Sequence, residues 1–278
     1  MEERIGSEAM GWLGLAGRVC VVTGGGGGIG AATARELARA GASVAALDRD
    51  GDMASSVARE IERSGGRAIG ILADIGNPDS VAAAADQVAK ELGPCRVLVN
   101  NAAIRHRNPL IGIDLETWNR VLAVNLTGAL LCTQAFGAQM IATGQGGSLI
   151  HVASLVGHYP QTGSGAYCVS KAGMIMLSRA LTVELAEHQI RSNVVSPGMT
   201  RTPANEGAYR NPEVATARAR ITPAGRVGVP DDMANAIAFL ASDRSNYING
   251  KEIVVDGGME STLMNNVPRV ARSGTSIG

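Results

Sequence analysis

The stretch Thr23-Gly-Gly-Gly-Gly-Gly-Ile-Gly30 decides the fold of this chain. Residues 18–22 before it are apolar and predict a buried strand, while residues 31–40 after it are rich in helix formers and end at Gly41. Glycines let a backbone approach a ligand closely, and the free N–H groups at the start of a helix attract a phosphate. The stretch therefore predicts a strand, a phosphate-binding loop and a helix in succession.

The rest of the chain alternates short apolar runs with helical patterns. We expect strands at residues 18–22, 43–47, 68–72, 97–99, 148–152, 192–195 and 253–255. We expect helices at residues 31–40, 78–92 and 165–187, a polar helix that ends at Arg63, and one or two helical segments within residues 114–143. Strands that are apolar throughout indicate a parallel sheet with helices on both faces, and right-handed crossovers make it doubly wound. We therefore predict an α/β Rossmann fold, a single domain built on a seven-stranded parallel sheet.

Composition limits the classes of function. The chain has 278 residues, of which 45% are hydrophobic and 18% charged, so it can bury a sizeable core. A formal net charge of zero disfavours nucleic acid as a partner. No apolar run approaches the ~20 residues of a membrane span, and the start Met1-Glu-Glu-Arg4 lacks the pattern of a signal peptide. We therefore expect a cytoplasmic protein without a membrane partner.

The four cysteines indicate neither a disulfide framework nor a metal centre. Cys20, Cys95, Cys132 and Cys168 have no Cys-x-x-Cys spacing, and no ligand set for zinc or Mg²⁺ accompanies them. We expect free thiols and no metal site.

The stretch Tyr167-Cys-Val-Ser-Lys171 is the candidate for chemistry. Residues four apart lie on one face of a helix, and an ammonium near a phenol lowers a pKa that is ordinarily near 10. A phenol tuned in this way can exchange a proton with a substrate oxygen. Such a pair also occurs by chance on many helices as two solvated side chains. Ser154 lies thirteen residues upstream, after an apolar run, and favours the functional interpretation.

Several separated motifs together resemble the classical short-chain dehydrogenase/reductase family over about residues 14–259. They are the glycine loop, Asn100-Asn-Ala-Ala103, Asn125 in Val-Asn-Leu-Thr-Gly128, Ser154, and the pair Tyr167 and Lys171. The family usually has glycine where Ala103 stands. The resemblance implies an NAD-dependent oxidoreductase that transfers hydride reversibly between a secondary alcohol and the corresponding ketone.

The resemblance also implies roles for four catalytic residues. Tyr167 would be the general acid and base, and Lys171 would lower the pKa of Tyr167 and hold the nicotinamide ribose. Ser154 would hydrogen-bond the substrate oxygen, and Asn125 would anchor a water that continues a proton relay. A helix kink or cap at Asn125, and a turn after a strand at Ser154, remain the structural alternatives.

The cofactor-binding residues that the resemblance implies come from every part of the chain. They are Gly24, Gly28, Ile29, Gly30, Asp48, Arg49, Asp74, Ile75, Asn101, Ala102, Tyr167, Lys171, Pro197, Gly198 and Thr202. Asp74 and Ile75 would contact the adenine ring, although a helix cap explains Asp74 equally well. Asp48 ends the second predicted strand, where a carboxylate accepts the ribose hydroxyls of NAD and repels the 2′-phosphate of NADP. Arg49 argues the opposite case, and we give Asp48 more weight and expect NAD.

Two other functions remain open at this point. One is a non-catalytic regulatory protein of the same fold that binds a dinucleotide. The other is an epimerase or dehydratase of the extended relatives, because Thr23, Gly24, Gly27 and Gly30 also fit their glycine spacing. The complete serine, tyrosine and lysine set speaks against the first, and the short chain speaks against the second.

The substrate is not specified by the sequence. We expect its cleft between the loop after Ala103, the residues after Ser154 and a lid at about residues 200–222. Basic residues are frequent there, namely Arg105, Arg107, Arg201, Arg210, Arg218 and Arg220. They indicate either a pocket for an anionic or strongly polar substrate or a solvated surface. His151 and His158 are expected to be structural.

We predict three segments along the chain: an N-terminal arm at residues 1–16, the dinucleotide-binding and catalytic domain at residues 17–259, and a C-terminal tail at residues 260–278. The helix that carries Tyr167 is apolar on several sides, which predicts burial on several sides. The resemblance implies that one of those sides forms part of a homotetramer.

Overall fold

The computed structural model describes residues 11–266. The first ten residues of the predicted arm and residues 267–278 of the predicted tail lie outside the described residues.

The described chain forms the predicted doubly wound parallel sheet. Its strands are β1 (Val19–Thr23), β2 (Ser43–Asp48), β3 (Arg67–Leu72), β4 (Cys95–Asn100), β5 (Gly147–Val152), β6 (Ile190–Pro197) and β7 (Glu252–Val255). The order across the seven-stranded sheet is β3-β2-β1-β4-β5-β6-β7, with parallel pairing throughout. The chain runs outward from β1 in one direction and from β4 in the other. The order therefore reverses between β1 and β4, which is where open sheets of this kind bind ligands.

Helices cover both faces of the sheet. They are α1 (Gly28–Arg39), α2 (Gly51–Arg63), α3 (Pro78–Glu91), α4 (Leu115–Leu122), α5 (Gly128–Thr143), α6 (Gly165–Glu184), α7 (Pro212–Arg220) and α8 (Pro230–Ala241). Successive side chains of a strand point to opposite faces. In β1, Cys20 and Val22 accordingly join the core under one layer of helices, and Val19 and Val21 join the core under the other.

The helical run from 115 to 143 is interrupted in the middle. A π-helical segment, Ala123–Thr127, joins α4 to α5. The expectation that no apolar run approaches a membrane span is wrong for this run, which is long and apolar enough by length and composition. Half of its most apolar window is nevertheless buried in the domain. Phe136 and Met140 are fully buried in the core. The apolar character of this run thus follows from packing on the sheet.

The described end of the predicted arm packs against the domain. Leu15 is completely buried in the core, and the carbonyl of Trp12 accepts a hydrogen bond of 2.8 Å from Arg244 Nε. The guanidinium of Arg244 also lies over the Trp12 ring, 5.2 Å from its centroid. Residues 11–16 therefore add apolar burial to the body of the molecule.

Candidate active site

The predicted site residues gather at one edge of the sheet. Because the strands are parallel, their carboxyl ends meet at that edge. Thr23 ends β1, Asn100 ends β4, Ser154 follows β5, and Gly198 follows β6. The site is thus assembled from loops far apart in sequence.

The glycine loop leaves the first N–H groups of α1 without a side-chain partner. The residue before α1 is Gly27, which offers no cap, whereas α2, α3 and α4 begin with the capping side chains of Asp50, Asn77 and Asp114. Uncapped N–H groups at a helix start form an anion site. The loop therefore fits the pyrophosphate of a dinucleotide.

Close backbone contacts explain the glycines of the loop. Gly24 has φ +64°, and a Cβ there would stand 2.9 Å from Ala102 Cα. A Cβ on Gly30 would stand 2.0 Å from the carbonyl oxygen of Gly24, and one on Gly26 would stand 2.9 Å from Asp48 Oδ2. A Cβ on Gly28, which has φ +52°, would stand 3.7 Å from Thr202 Cβ. Side chains at these positions would clash with the loop or narrow the space for a ligand.

Asn101 and Ala102 support the loop from below. The Thr23 hydroxyl accepts hydrogen bonds from the backbone N–H groups of Asn101 and Ala102, at 3.0 and 3.1 Å. The Asn101 amide donates to the Thr23 carbonyl at 2.9 Å and to that of Gly24 at 3.3 Å. Asn101 and Ala102 thus hold the loop after β4 against the loop after β1.

Asp48 is also bound to the loop. Its Oδ2 accepts the N–H of Gly26 at 3.0 Å and its Oδ1 accepts that of Asp50 at 3.1 Å. The carboxylate is half-buried and Arg49 beside it is exposed. Both charges stand at the end of β2, where the adenosine ribose is expected.

Asp74 and Ile75, the predicted adenine contacts, both make contacts within the protein. Asp74 Oδ1 accepts the N–H of Gly76 at 2.9 Å, and Oδ2 pairs with Arg120 Nη2 at 3.2 Å. The hydrogen bond from Gly76 and the charge of Arg120 hold the pKa of Asp74 below its ordinary value. The Ile75 side chain is buried in the core. The backbone of Ile75, rather than its side chain, can therefore face an adenine.

Pro197, Gly198 and Thr202 lie on the far side of the cleft. Pro197 ends β6, and the N–H of Gly198 donates to the Val255 carbonyl at 2.9 Å. A Cβ on Gly198 would stand 2.6 Å from Asp256 Cβ. The N–H of Thr202 donates to Asn205 Oδ1 at 2.9 Å. Asn205, which the sequence did not single out, thereby fixes the start of the lid.

Ser154, Tyr167 and Lys171 come together beside this cleft. The Lys171 ammonium lies 5.6 Å from the centroid of the Tyr167 ring and donates to the Val152 carbonyl at 2.7 Å. Ser154 lies close enough to Tyr167 to lower the pKa of its phenol. Lys171 is fully buried, and burial lowers its pKa to about 8. The predicted grouping of these three residues is therefore present.

The balance of forces on Tyr167 differs from the expectation. Burial raises the pKa of Tyr167, while the charge of Arg105 and the hydrogen bond from Ser154 lower it by less. The predicted lowering by Lys171 is not among these effects. Two cations lie at nearly the same distance from the ring centroid, Arg105 Cζ at 5.5 Å and Lys171 Nζ at 5.6 Å.

Asn125 lies in the π-helical segment and is completely buried. Its Oδ1 accepts the N–H of Ile104 at 2.8 Å, and its Nδ2 donates to the Ile104 carbonyl at 2.9 Å and to Ser170 Oγ at 3.1 Å. The side chain thus ties the loop after β4 to α6. A π-helical segment thus stands where we considered a helix kink or cap as the alternative, and the water relay stays a prediction.

His151 and His158, the two histidines expected to be structural, both contact protein side chains. His151 is buried beside Asn100, with 3.3 Å between His151 Nδ1 and Asn100 Nδ2. Burial, with a smaller effect from the charge of Lys171, lowers the pKa of His151 to about 4, so it is neutral at ordinary pH. His158 Nε2 meets the carboxylate of Glu252 at 2.8 Å. The contact between His158 and Glu252 ties the segment after Ser154 to β7.

Two of the four lid arginines, Arg201 and Arg218, contact other lid residues. Arg201 forms a two-point ion pair with Glu206, and Arg218 lies over the ring of Tyr209, 4.7 Å from its centroid. The lid is built from a 3₁₀ segment, Pro203–Tyr209, and from α7. Within residues 11–266, no group of three or more His, Cys, Asp or Glu side chains could hold a metal ion. All four cysteines are buried free thiols, as predicted.

Residues 24–260 match the model of a protein family described as enoyl-(acyl carrier protein) reductase. The chain belongs to the classical short-chain dehydrogenase/reductase family. The match covers the glycine loop, both asparagine motifs, Ser154, Tyr167 and Lys171, so the predicted family is confirmed.

Relatives of this family are similar along nearly the whole chain. The cis-4-hydroxycyclohexanecarboxylate dehydrogenase of Sinomonas cyclohexanicum is 41% identical, over 88% of this chain and 97% of that protein. The D-threitol dehydrogenase of Mycolicibacterium smegmatis is 37% identical, over 88% of this chain and 93% of that protein. The crystal structure of a gluconate 5-dehydrogenase from Burkholderia cenocepacia, in complex with NADP and tartrate, is 33% identical with a TM-score of 0.85, over 91% and 99% of the two chains.

These relatives decide the reaction class. The chain is a short-chain oxidoreductase that acts on CH–OH groups with a nicotinamide dinucleotide. The non-catalytic regulatory alternative is not supported, because the relatives are named as dehydrogenases.

Proposed function

We propose that this chain oxidises a secondary alcohol to the ketone with NAD, and catalyses the reverse reduction, with Tyr167 as the general acid and base. The observation that carries the proposal is the grouping of Tyr167, Ser154 and buried Lys171 beside the glycine loop. A dinucleotide held by that loop brings its nicotinamide ring to the same edge of the sheet.

Each catalytic side chain has a distinct task in the proposal. Tyr167 takes the hydroxyl proton of the alcohol during oxidation and returns it during reduction. Ser154 donates a hydrogen bond to the substrate oxygen as charge develops there. Lys171 supplies a fixed positive charge behind Tyr167 and a donor for the nicotinamide ribose. When bound, the nicotinamide accepts or supplies the hydride.

NAD is the proposed cofactor, and NADP is the alternative. Asp48 supports NAD, because its carboxylate is held in place by two backbone N–H groups and cannot turn away from a 2′-phosphate. NADP is bound in the related gluconate 5-dehydrogenase from Burkholderia cenocepacia. Arg49 is the residue that would favour NADP, since it is exposed and adjacent.

A homotetramer in the cytoplasm completes the proposal. Apolar side chains that remain exposed along α6 support assembly: Val169, Met176 and Val183 recur every seven residues on one face. The four free cysteines support a reducing compartment.

The direct test is a panel of secondary alcohols and ketones assayed with NAD, NADP and their reduced forms. Formation or loss of reduced nicotinamide is followed by ultraviolet absorbance. We expect turnover of at least one secondary alcohol, with a larger kcat/KM for NAD than for NADP. Absence of turnover across acids, sugars, steroids and simple alcohols would argue against the proposal.

A further inference from the structure

Arg105 lies against the helix that carries the acid–base tyrosine. Its Cζ lies 5.5 Å from the centroid of the Tyr167 ring. Its Nη2 donates hydrogen bonds to Gln161 Oε1 at 2.5 Å and to Ser164 Oγ at 2.8 Å. Ser164 is buried and immediately precedes α6. The guanidinium is therefore held on the side of Tyr167 that faces the loops around the substrate cleft.

The backbone before Arg105 is fixed by a buried side chain. Asn125 binds both the N–H and the carbonyl of Ile104, at 2.8 and 2.9 Å. Asn108 forms a parallel bridge to Ser164 three residues further on. Because the loop is attached on both sides of Arg105, little conformational freedom is lost when the guanidinium binds a ligand.

The charge of Arg105 is uncompensated in the described part of the chain. Some arginines near this edge of the sheet have carboxylate partners, in the pairs Arg120–Asp74, Arg201–Glu206 and Arg226–Asp232, whereas Arg105, like Arg49 and Arg107, has none among the described residues. Arg105 has neutral partners there, and its Nε and Nη1 donate to no described protein atom. The Nη1 amino group can therefore donate to a carboxylate oxygen, and the uncompensated positive charge attracts the carboxylate.

We propose that Arg105 binds a carboxylate of the substrate, so that hydroxy acids and the corresponding oxo acids are preferred over neutral alcohols of the same size. The inference rests on the proposed function, because it assigns a substrate class to the site of Tyr167. The carbinol oxygen lies between Ser154 and Tyr167 while the carboxylate pairs with Arg105. In oxidation, the carbinol C–H leaves as hydride to the nicotinamide, the hydroxyl proton goes to Tyr167, and the carboxylate remains unchanged.

The test compares 4-hydroxycyclohexanecarboxylate and 3-hydroxybutanoate with their neutral carboxamides. We expect kcat/KM to favour the acids by about tenfold or more in the unmodified protein, the scale of one charge-assisted hydrogen bond. In Arg105→Gln the preference should fall to about threefold or less, mainly through KM, since glutamine carries no positive charge. Arg107→Gln is the matched control, because it removes the same charge from the same exposed loop, and it should keep the preference.

The pH profile separates this role from a purely structural one. The charge of Arg105 opposes the effect of burial on the pKa of Tyr167. For a neutral alcohol, the limb of the kcat/KM profile that reports Tyr167 should therefore move to higher pH in Arg105→Gln and stay in place in Arg107→Gln. Equal kcat/KM for acids and amides in the unmodified protein, or an undiminished preference in Arg105→Gln, would overturn the proposal.

A binding measurement distinguishes this inference from the proposed function. Cyclohexanecarboxylate and cyclohexanecarboxamide, which carry no carbinol, are titrated into the protein with NADH, and the fluorescence of NADH is recorded. Tighter binding of the carboxylate that is lost in Arg105→Gln would support the Arg105 assignment even if no alcohol were turned over. Equal binding of the two compounds would overturn the assignment even if neutral alcohols were good substrates.

Discussion

Lys171 is the residue at which charge and burial conflict most strongly. Its side chain is fully buried, and burial lowers its pKa from 10.5 to about 8. Between those two values the unfolded chain binds more protons than the folded chain, so the free energy of unfolding rises with pH across that window. Below about pH 8 the charged ammonium therefore costs stability, on the order of 1–3 kcal/mol.

Lys171→Met should consequently stabilise the fold while it damages catalysis. Methionine keeps the length of the side chain and removes the buried charge, so we expect the free energy of unfolding at neutral pH to increase by about 1 kcal/mol. Turnover should fall sharply, because the fixed charge behind Tyr167 is lost. Denaturant unfolding at neutral pH and at about pH 9.5 measures the first effect, and steady-state kinetics measures the second.

The exposed Lys90 on α3 provides the control for this prediction. Lys90→Met should leave both stability and turnover close to those of the unmodified protein, because that ammonium is already in water. The stability gained in Lys171→Met should shrink at the higher pH. If Lys171→Met were less stable than the unmodified protein at both pH values, the hydrogen bond from Lys171 to Val152 would contribute more to the free energy of unfolding than burial of the charge costs.

At the scale of elements, the end of β2 and the loop before α1 are joined by a hydrogen bond. The carboxylate of Asp48 accepts the N–H of Gly26, so the residue that we propose to discriminate NAD from NADP also shapes the glycine loop. In Asp48→Ser we expect the ratio of kcat/KM for NAD over NADP to fall by about tenfold or more, since repulsion of the 2′-phosphate is relieved. Kinetics with both cofactors on one substrate measures this ratio.

Arg49→Gln is the companion variant for the same element. If Asp48 controls the choice, removal of the neighbouring guanidinium should leave the preference for NAD nearly unchanged. Comparable kcat/KM for the two cofactors in the unmodified protein would show that Asp48 does not discriminate in the way we argue. A large loss of NADP activity in Arg49→Gln would identify Arg49 as a phosphate-binding residue.

The elements that the sequence predicted are those with a strong local signal. The glycine loop, the apolar strands and α3 were placed within a few residues, because periodicity, turns and caps act over short distances. Helix α8 and the lid helix α7 were not predicted. The π-helical segment at Asn125 was not resolved within the expected helical run, because it depends on contacts with Ile104 and Ser170 far away in sequence.

The candidate site was likewise predicted only where motif spacing gave a signal. Motif spacing was sufficient to propose Ser154, Tyr167 and Lys171 as a group, since their roles require a fixed geometry. It could not separate Arg105 from the other arginines, because only the fold shows which guanidinium lies over Tyr167 and which ones pair with Glu206 or Asp232. We therefore assign the predicted selection of an anionic substrate to Arg105 rather than to the lid arginines.

At the scale of the whole molecule, the main expectation to test is the homotetramer. Met176 is 61% exposed and Val183 is 78% exposed on α6. We expect a neighbouring subunit to cover them, so Met176→Glu should lower the mass measured by sedimentation, because a charge cannot be buried there without a partner. Ile111→Glu, at an exposed loop residue that does not belong to α6, is the control and should keep the mass. A monomer in the unmodified protein would contradict the expectation of a tetramer.

The most direct measurement of the central claim is the turnover of Tyr167→Phe. This variant keeps the aromatic ring near Lys171 and Arg105 and removes the hydroxyl that we propose exchanges the proton. Turnover of the best alcohol substrate should fall by about a hundredfold or more, the usual contribution of a general acid–base group. NADH binding, measured by fluorescence, should stay within a few-fold of the unmodified protein. Turnover close to that of the unmodified protein would show that another group transfers the proton, and would contradict the account.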